Sequence, residues 1–99
     1  MKKGELSRDE LILALDLYFQ FREDGLHGDA PIRELAKELD REVNPVDVAV
    51  RAFAWDDPRR PWRQGPVPGE EARRLWQEHK DDRPALKKHA AAIRKPPKT

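Results

Sequence analysis

The sequence predicts an all-α fold, a small single-domain bundle of about five helices containing a helix-turn-helix-like pair. Three observations carry this. Ile32, Leu35, Ala36 and Leu39 recur at i, i+3, i+4 and i+7, the apolar stripe of an amphipathic helix. Helix-start signals stand ahead of successive helical stretches, at Ser7, Pro31, Asn44-Pro45, Glu70-Glu71 and Asp82. No stretch alternates apolar and polar residues as a half-buried strand would. A chain of 99 residues suffices for one domain with its own core. With no cysteine, stability has to come from packing rather than disulfides.

The elements follow in order. Residues 1–6 are expected to be a flexible N-terminus, 7–95 the helical domain and 96–99 a flexible tail. Ser7-Arg8-Asp9-Glu10 reads as a capping box, with Leu6 and Leu11 placed to form the hydrophobic staple beside it. The helix it opens runs to about Arg22 and is apolar nearly all round, which makes it central in the fold or a docking helix for a neighbouring domain. Glu23–Ala30, with Gly25 and Gly28 among acids, is a connecting loop. A second helix covers Pro31–Leu39. Asp40–Val43 breaks the pattern, and Asn44-Pro45 supplies an N-cap and an N1 proline for a third helix to about Trp55.

That third helix has two possible inward phases: Val46, Ala49, Val50 and Phe53, or Val48, Ala52 and Trp55. Its narrow polar stripe is easier to place, because Asn44, Asp47 and Arg51 are spaced by three and four and share one edge. Asp56–Gly69 is a stiff, proline-rich loop. A fourth helix spans about Glu70–Lys80, with Ala72, Leu75, Trp76 and His79 on one face. Its acidic start suits the positive end of the helix dipole. Asp82 can cap a fifth helix from Arg83, with Pro84 in its first turn and Leu86, Ala90 and Ile93 inward; Pro96-Pro97 stops it.

A net charge of +1 conceals an asymmetry: residues 1–50 carry 7 Lys/Arg against 12 Asp/Glu, residues 51–99 carry 13 against 7. One basic face able to meet a polyanion is one expectation; two solvated faces of different sign are the other. No apolar run approaches the roughly 18 residues of a membrane span, and Lys2-Lys3 precedes a charged amphipathic helix rather than a signal-peptide core. A cytoplasmic protein without a membrane partner is the simplest expectation. His27, His79 and His89 have no metal-ligand spacing, and no phosphate loop or activated nucleophile stands out, so neither catalysis nor a cofactor is expected of this chain.

For binding, a short helix pair is the geometry that can present a helix to a DNA major groove, as well as a common way to pack helices. Arg51 can donate twice to guanine; Asp47 can accept from a cytosine amino group or simply hold Arg51 by an i,i+4 pair. Asn44 is first a helix cap. In the loop, Arg59, Arg60 and Arg63 can neutralise phosphates, and Trp62 can stack on a base, touch a 5-methyl group or fold back over the helices. Trp55 and Trp76 sit at core spacing.

The residues also resemble a family, the N-terminal head domain of McrA-like, modification-dependent HNH restriction endonucleases. The similarity begins with Arg8-Asp9-Glu10-Leu11-Ile12-Leu13-Ala14-Leu15-Asp16-Leu17-Tyr18 and continues with Ile32-Arg33-Glu34-Leu35-Ala36. It goes on through Asn44-Pro45, Trp55 and Asp57-Pro58, and closes with Leu75-Trp76-Gln77-Glu78-His79, Leu86, Ala90, Ala92, Ile93 and Arg94. Val46-Asp47, Arg51 and Ala54 depart from the family's asparagine-glycine, lysine and asparagine, and Arg63-Gln64-Gly65 is a reduced form of its glycine-lysine-glycine element. The resemblance implies a DNA-reading module, with other domains of a parent endonuclease as partners and double-stranded DNA, methylated or otherwise modified, as target. Two other functions compete: a protein-docking domain of such an enzyme, using the apolar Leu11–Phe21 helix, and a free-standing helix-turn-helix regulator, which would need to dimerise across two half-sites.

Overall fold

The computed structural model describes residues 6–26, 28–58 and 66–94. They form five α-helices: α1 (Arg8–Glu23), α2 (Ala30–Leu39), α3 (Val43–Ala52), α4 (Glu70–His79) and α5 (Arg83–Arg94). A single 3₁₀ turn, Phe53–Asp56, continues α3, and there is no strand among the described residues. No helix of the described residues is long and apolar enough to cross a membrane.

The start of α1 forms as the capping box dictates. The Ser7 hydroxyl accepts from the Glu10 amide at 3.3 Å, and the Glu10 carboxylate accepts from the Ser7 amide at 2.8 Å. Two of the four orphan donors at the helix end are thereby satisfied. From there α1 runs through the middle of the molecule and touches α2, α3, α4 and α5. Every residue from Ile12 to Phe19 is buried. Burial of each large apolar side chain is worth roughly 1.5–3 kcal/mol, so this helix dominates the core. Of the two roles open to it, the helix takes the central one: Ile12–Phe19 is covered by the chain's own helices, with Leu11 and Phe21 half-buried at its ends.

Around α1 the other helices bury the stripes expected of them: Ile32, Leu35, Ala36 and Leu39 on α2, Ala72, Leu75, Trp76 and His79 on α4, Leu86 and Ala90 on α5. Trp76 stacks on Phe19 with ring centroids 5.6 Å apart, and Tyr18 meets its edge at 6.1 Å. The buried His79 ring donates from Nδ1 to the Leu75 carbonyl at 3.0 Å and meets His89 of α5 edge-to-face. Asp82 caps α5 through the Ala85 amide at 3.2 Å.

Part of the charge asymmetry resolves into ion pairs between the two halves of the sequence. Arg83 of α5 reaches Glu23 at 3.1 Å and also pairs with Asp24 at the end of α1. Arg94 reaches Glu38 of α2 at 2.8 Å. In the other direction, Arg8 joins Glu71 and Glu78 of α4 at 2.7 and 2.8 Å. The arginines of α5 thus lie on first-half carboxylates instead of gathering into a cationic face, while Lys80, Lys87 and Lys88 stay on the surface.

Candidate nucleic-acid interface

The turn between α2 and α3 is short and sharp. Asp40 ends α2 in the left-handed region at φ 55°, and its amide donates to the Ala36 and Lys37 carbonyls. Aspartate tolerates that conformation better than most residues because its short polar side chain can bond locally. Arg41 then turns inward, placing Nε 2.8 Å from Glu10 Oε2 and Nη2 2.8 Å from Glu10 Oε1. This bidentate pair is almost wholly buried, with both side chains at 8 % exposure or less. It holds the Glu10 carboxyl at about 2, well below the ordinary carboxylate range, against the opposing effect of burial. The capping box of α1 is thereby bolted to the α2–α3 turn.

Two residues after Arg41, α3 begins. Its N-cap position is Glu42, whose side chain makes no capping bond, and Asn44 and Pro45 occupy the second and third helical positions. The expected Asn44 cap is corrected on this point. A proline is tolerated throughout the first turn because none of those amides has an intrahelical acceptor, so Asn44-Pro45 marks the first turn and not its first residue.

Of the two phases open to α3, the fold takes the first for its large side chains, with Ala49 half-buried and Ala52 of the second phase buried as well. Val46, Val50 and Phe53 are at 1 % exposure or less, while Val48 is 50 % and Trp55 41 % exposed. Trp55 is therefore corrected from core to surface. The 3₁₀ turn contributes, since its tighter winding rotates successive side chains by about 20° more per residue than an α-helix. Trp76, the other tryptophan assigned to the core, is buried.

The polar edge stands as expected: Asn44 is exposed, and Asp47 and Arg51 are half-exposed. Arg51 Nε donates to Asp47 Oδ1 at 2.8 Å across one turn of α3. Arg59, Arg60, Trp62 and Arg63 lie outside the described residues, as does His27. The last described residues before that segment are firmly held. Asp57 is 1 % exposed, accepts from the Tyr18 hydroxyl at 2.5 Å and from Arg22 Nη1 at 3.1 Å, and so ties the end of the 3₁₀ turn to α1. In the sequence, Asp57-Pro58 stands out only as part of the proline-rich loop and of the family resemblance. A buried carboxylate needs partners, and Tyr18 and Arg22, one helical turn apart on α1, were the signal that could have supplied them.

Beside the polar edge, a groove of about 640 Å³ runs between α3 and α4, lined by Val48, Ala49, Ala52, Val67 and Ala72, with Glu70 and Arg74 at its rim. Among the described residues no three His, Asp or Glu side chains gather as metal donors would. Chemically, the outer edge of α3 offers an amide, a carboxylate and a guanidinium for hydrogen bonding, with apolar surface at Val48 and Trp55. No family model, curated protein or solved structure matches this chain.

Proposed function

We propose that this chain is a non-catalytic module that binds double-stranded DNA, carrying a modified base such as 5-methylcytosine, with the outer edge of α3 in the major groove. We propose further that it serves as the targeting domain of a modification-dependent HNH endonuclease of the McrA-like kind. The observation that carries the reading is the division of α3, the second helix of a tightly turned pair. Its inner face is locked by Val46, Val50 and Phe53, and its outer edge presents Asn44, Asp47 and Arg51 to solvent. A rigid helix with a hydrogen-bonding outer edge is what base readout requires.

The Asp47–Arg51 bond does not oppose this. A half-exposed i,i+4 pair contributes about 0.3–0.5 kcal/mol, whereas a bidentate arginine–guanine contact discriminates by about 1–3 kcal/mol, so Arg51 gains by exchanging partners. The cations at Arg59, Arg60 and Arg63 follow the 3₁₀ turn closely in sequence and supply phosphate-neutralising charge, with Trp62 among them as an apolar contact.

Fluorescence anisotropy with labelled duplexes over a salt titration tests the reading. Arg51→Ala is expected to weaken binding about tenfold. Replacing Arg59, Arg60 and Arg63 by alanine is expected to lower the salt slope by about 3. Equal affinity for methylated and unmethylated duplexes would remove modified-base sensing; indifference to all four substitutions would remove DNA binding through this face.

A further inference from the structure

We infer that Val48 and Trp55 are specificity-determining residues of the DNA face, and that the group they meet is the C5-methyl of a pyrimidine in the major groove. The inference rests on the DNA-binding reading of α3 and deepens it. Its starting point is where the molecule leaves apolar surface uncovered. The exposed large hydrophobics among the described residues are Val43, Val48, Trp55 and Val67, and three of these four belong to α3 and its 3₁₀ continuation. The same chain buries Trp76, Phe19 and Phe53 almost completely, so an indole at 41 % exposure in the 3₁₀ turn is a local exception. Single exposed apolar residues are ordinary, and Val43, five positions before Val48, stands round the helix by itself; Val48 and Trp55 share one edge, as a contact surface would.

Spacing says what that surface is built to touch. Val48, Arg51 and Trp55 follow one another at i, i+3 and i+7, so they run along one edge with the guanidinium between the two apolar side chains. Val48 and Trp55 are about 11 Å apart along the axis, close to three base-pair steps. Arg51 suits the acceptors of guanine, but an isopropyl group and an indole gain nothing from phosphates or from bare base edges, which are polar. The apolar groups that a major groove does present are C5-methyls, on thymine and on methylated cytosine; unmodified cytosine shows only an amino donor there. Both sources share one chemistry, and the test separates them.

The full chain is titrated by anisotropy against four duplexes that differ at a single pyrimidine: cytosine, 5-methylcytosine, thymine and uracil. The expected result is tighter binding of the methylated member of at least one pair, by roughly fourfold per methyl buried. The pair that shows the preference names the source of the methyl. Trp55→Ala and Val48→Thr are each expected to reduce that preference towards one. Arg51→Ala is expected to weaken all four and leave the preference in place. Val48→Thr keeps the β-branched shape, and far-UV circular dichroism identical to wild type verifies the fold of each variant.

The inference is overturned if wild type binds DNA and the two apolar variants keep its methyl preference, or lose affinity equally for all four duplexes. It is also overturned if Trp55→Ala splits a dimer seen by size-exclusion light scattering without altering duplex selectivity, since the face would then be a protein interface. Failure of wild type to bind any of the four duplexes overturns the DNA reading itself, a result distinct from those two.

Discussion

Two arginine–carboxylate pairs in this molecule have the same length and opposite consequences. Arg41 Nε lies 2.8 Å from Glu10, and Arg51 Nε lies 2.8 Å from Asp47. The first is buried to 6 % and 8 % side-chain exposure, bidentate, and joins residues 31 positions apart; the second is 38 % and 31 % exposed and spans one helical turn. Distance therefore says nothing about strength here; water does. In the buried pair, either partner left alone would be a charge without its counter-ion in an apolar setting. In the exposed pair, solvent replaces whatever is lost. One is a bolt between α1 and the α2–α3 turn, the other an exchangeable contact on a surface proposed to meet a ligand.

The contrast breaks most visibly under truncation. Arg41→Ala is expected to cost about 3–5 kcal/mol, measured by urea denaturation, because it strands Glu10 beneath the α2–α3 turn. For a domain of this size that is a large fraction of the whole stability. Should Arg41→Ala cost under 1 kcal/mol, the distinction between the two pairs collapses.

Acid probes the same bolt without a mutation. Glu10 titrates near 2 in the folded chain against 4.5 as a free side chain, principally through the Arg41 hydrogen bonds. A lowered folded value means its stabilisation is fully present above pH 4.5 and is lost as pH falls from there towards 2. The loss attributable to this group is roughly 3 kcal/mol. Thermal melts of wild type and Glu10→Gln should converge over that interval, Glu10→Gln being the less stable above it. A constant gap between the two across the interval would refute the assignment.

At the small end, Arg51→Ala should change stability by less than about 0.5 kcal/mol while weakening DNA. Asp47→Asn should likewise be nearly neutral for stability and should raise affinity for DNA at low salt, since it removes a carboxylate beside the phosphates. A stability loss comparable to that of Arg41→Ala at either position would reclassify the α3 edge as structural.

How much of this was legible from the residues depended on range. Ser7, Glu10, Leu6 and Leu11 announced the start of α1 because a capping box works within four residues, and Asp82 with Pro84 did the same for α5. The stripes of α2, α4 and α5 were equally readable, their apolar positions falling on one face only. Helix α3 was not, being apolar on nearly every side; its phase was decided by α1 and α2 packing on Val46 and Val50, and Trp55 went outward with the change to 3₁₀ winding. Arg41 was invisible as a core residue, since arginine is seldom buried and its partner lies in a different element. The charge asymmetry left its arrangement open for the same reason: a sum over half a chain carries no geometry, and Arg83 and Arg94 lie on carboxylates of α1 and α2. Within the candidate interface, the Asn44, Asp47 and Arg51 edge was foreseen from spacing, while Val48 and Trp55 on that same side required the fold.

The long reach of the ion pairs also bears on how the chain is made. Arg8 is joined to residues 63 and 70 positions later, and Arg83 to a residue 60 positions earlier. Within this domain α1 is synthesised well before α4 and α5, which cover its far side, can join it. Until they do, a nascent chain displays a greasy rod flanked by uncompensated acid groups. Chains truncated before α4 should therefore be preferred clients of chaperones that hold apolar helices.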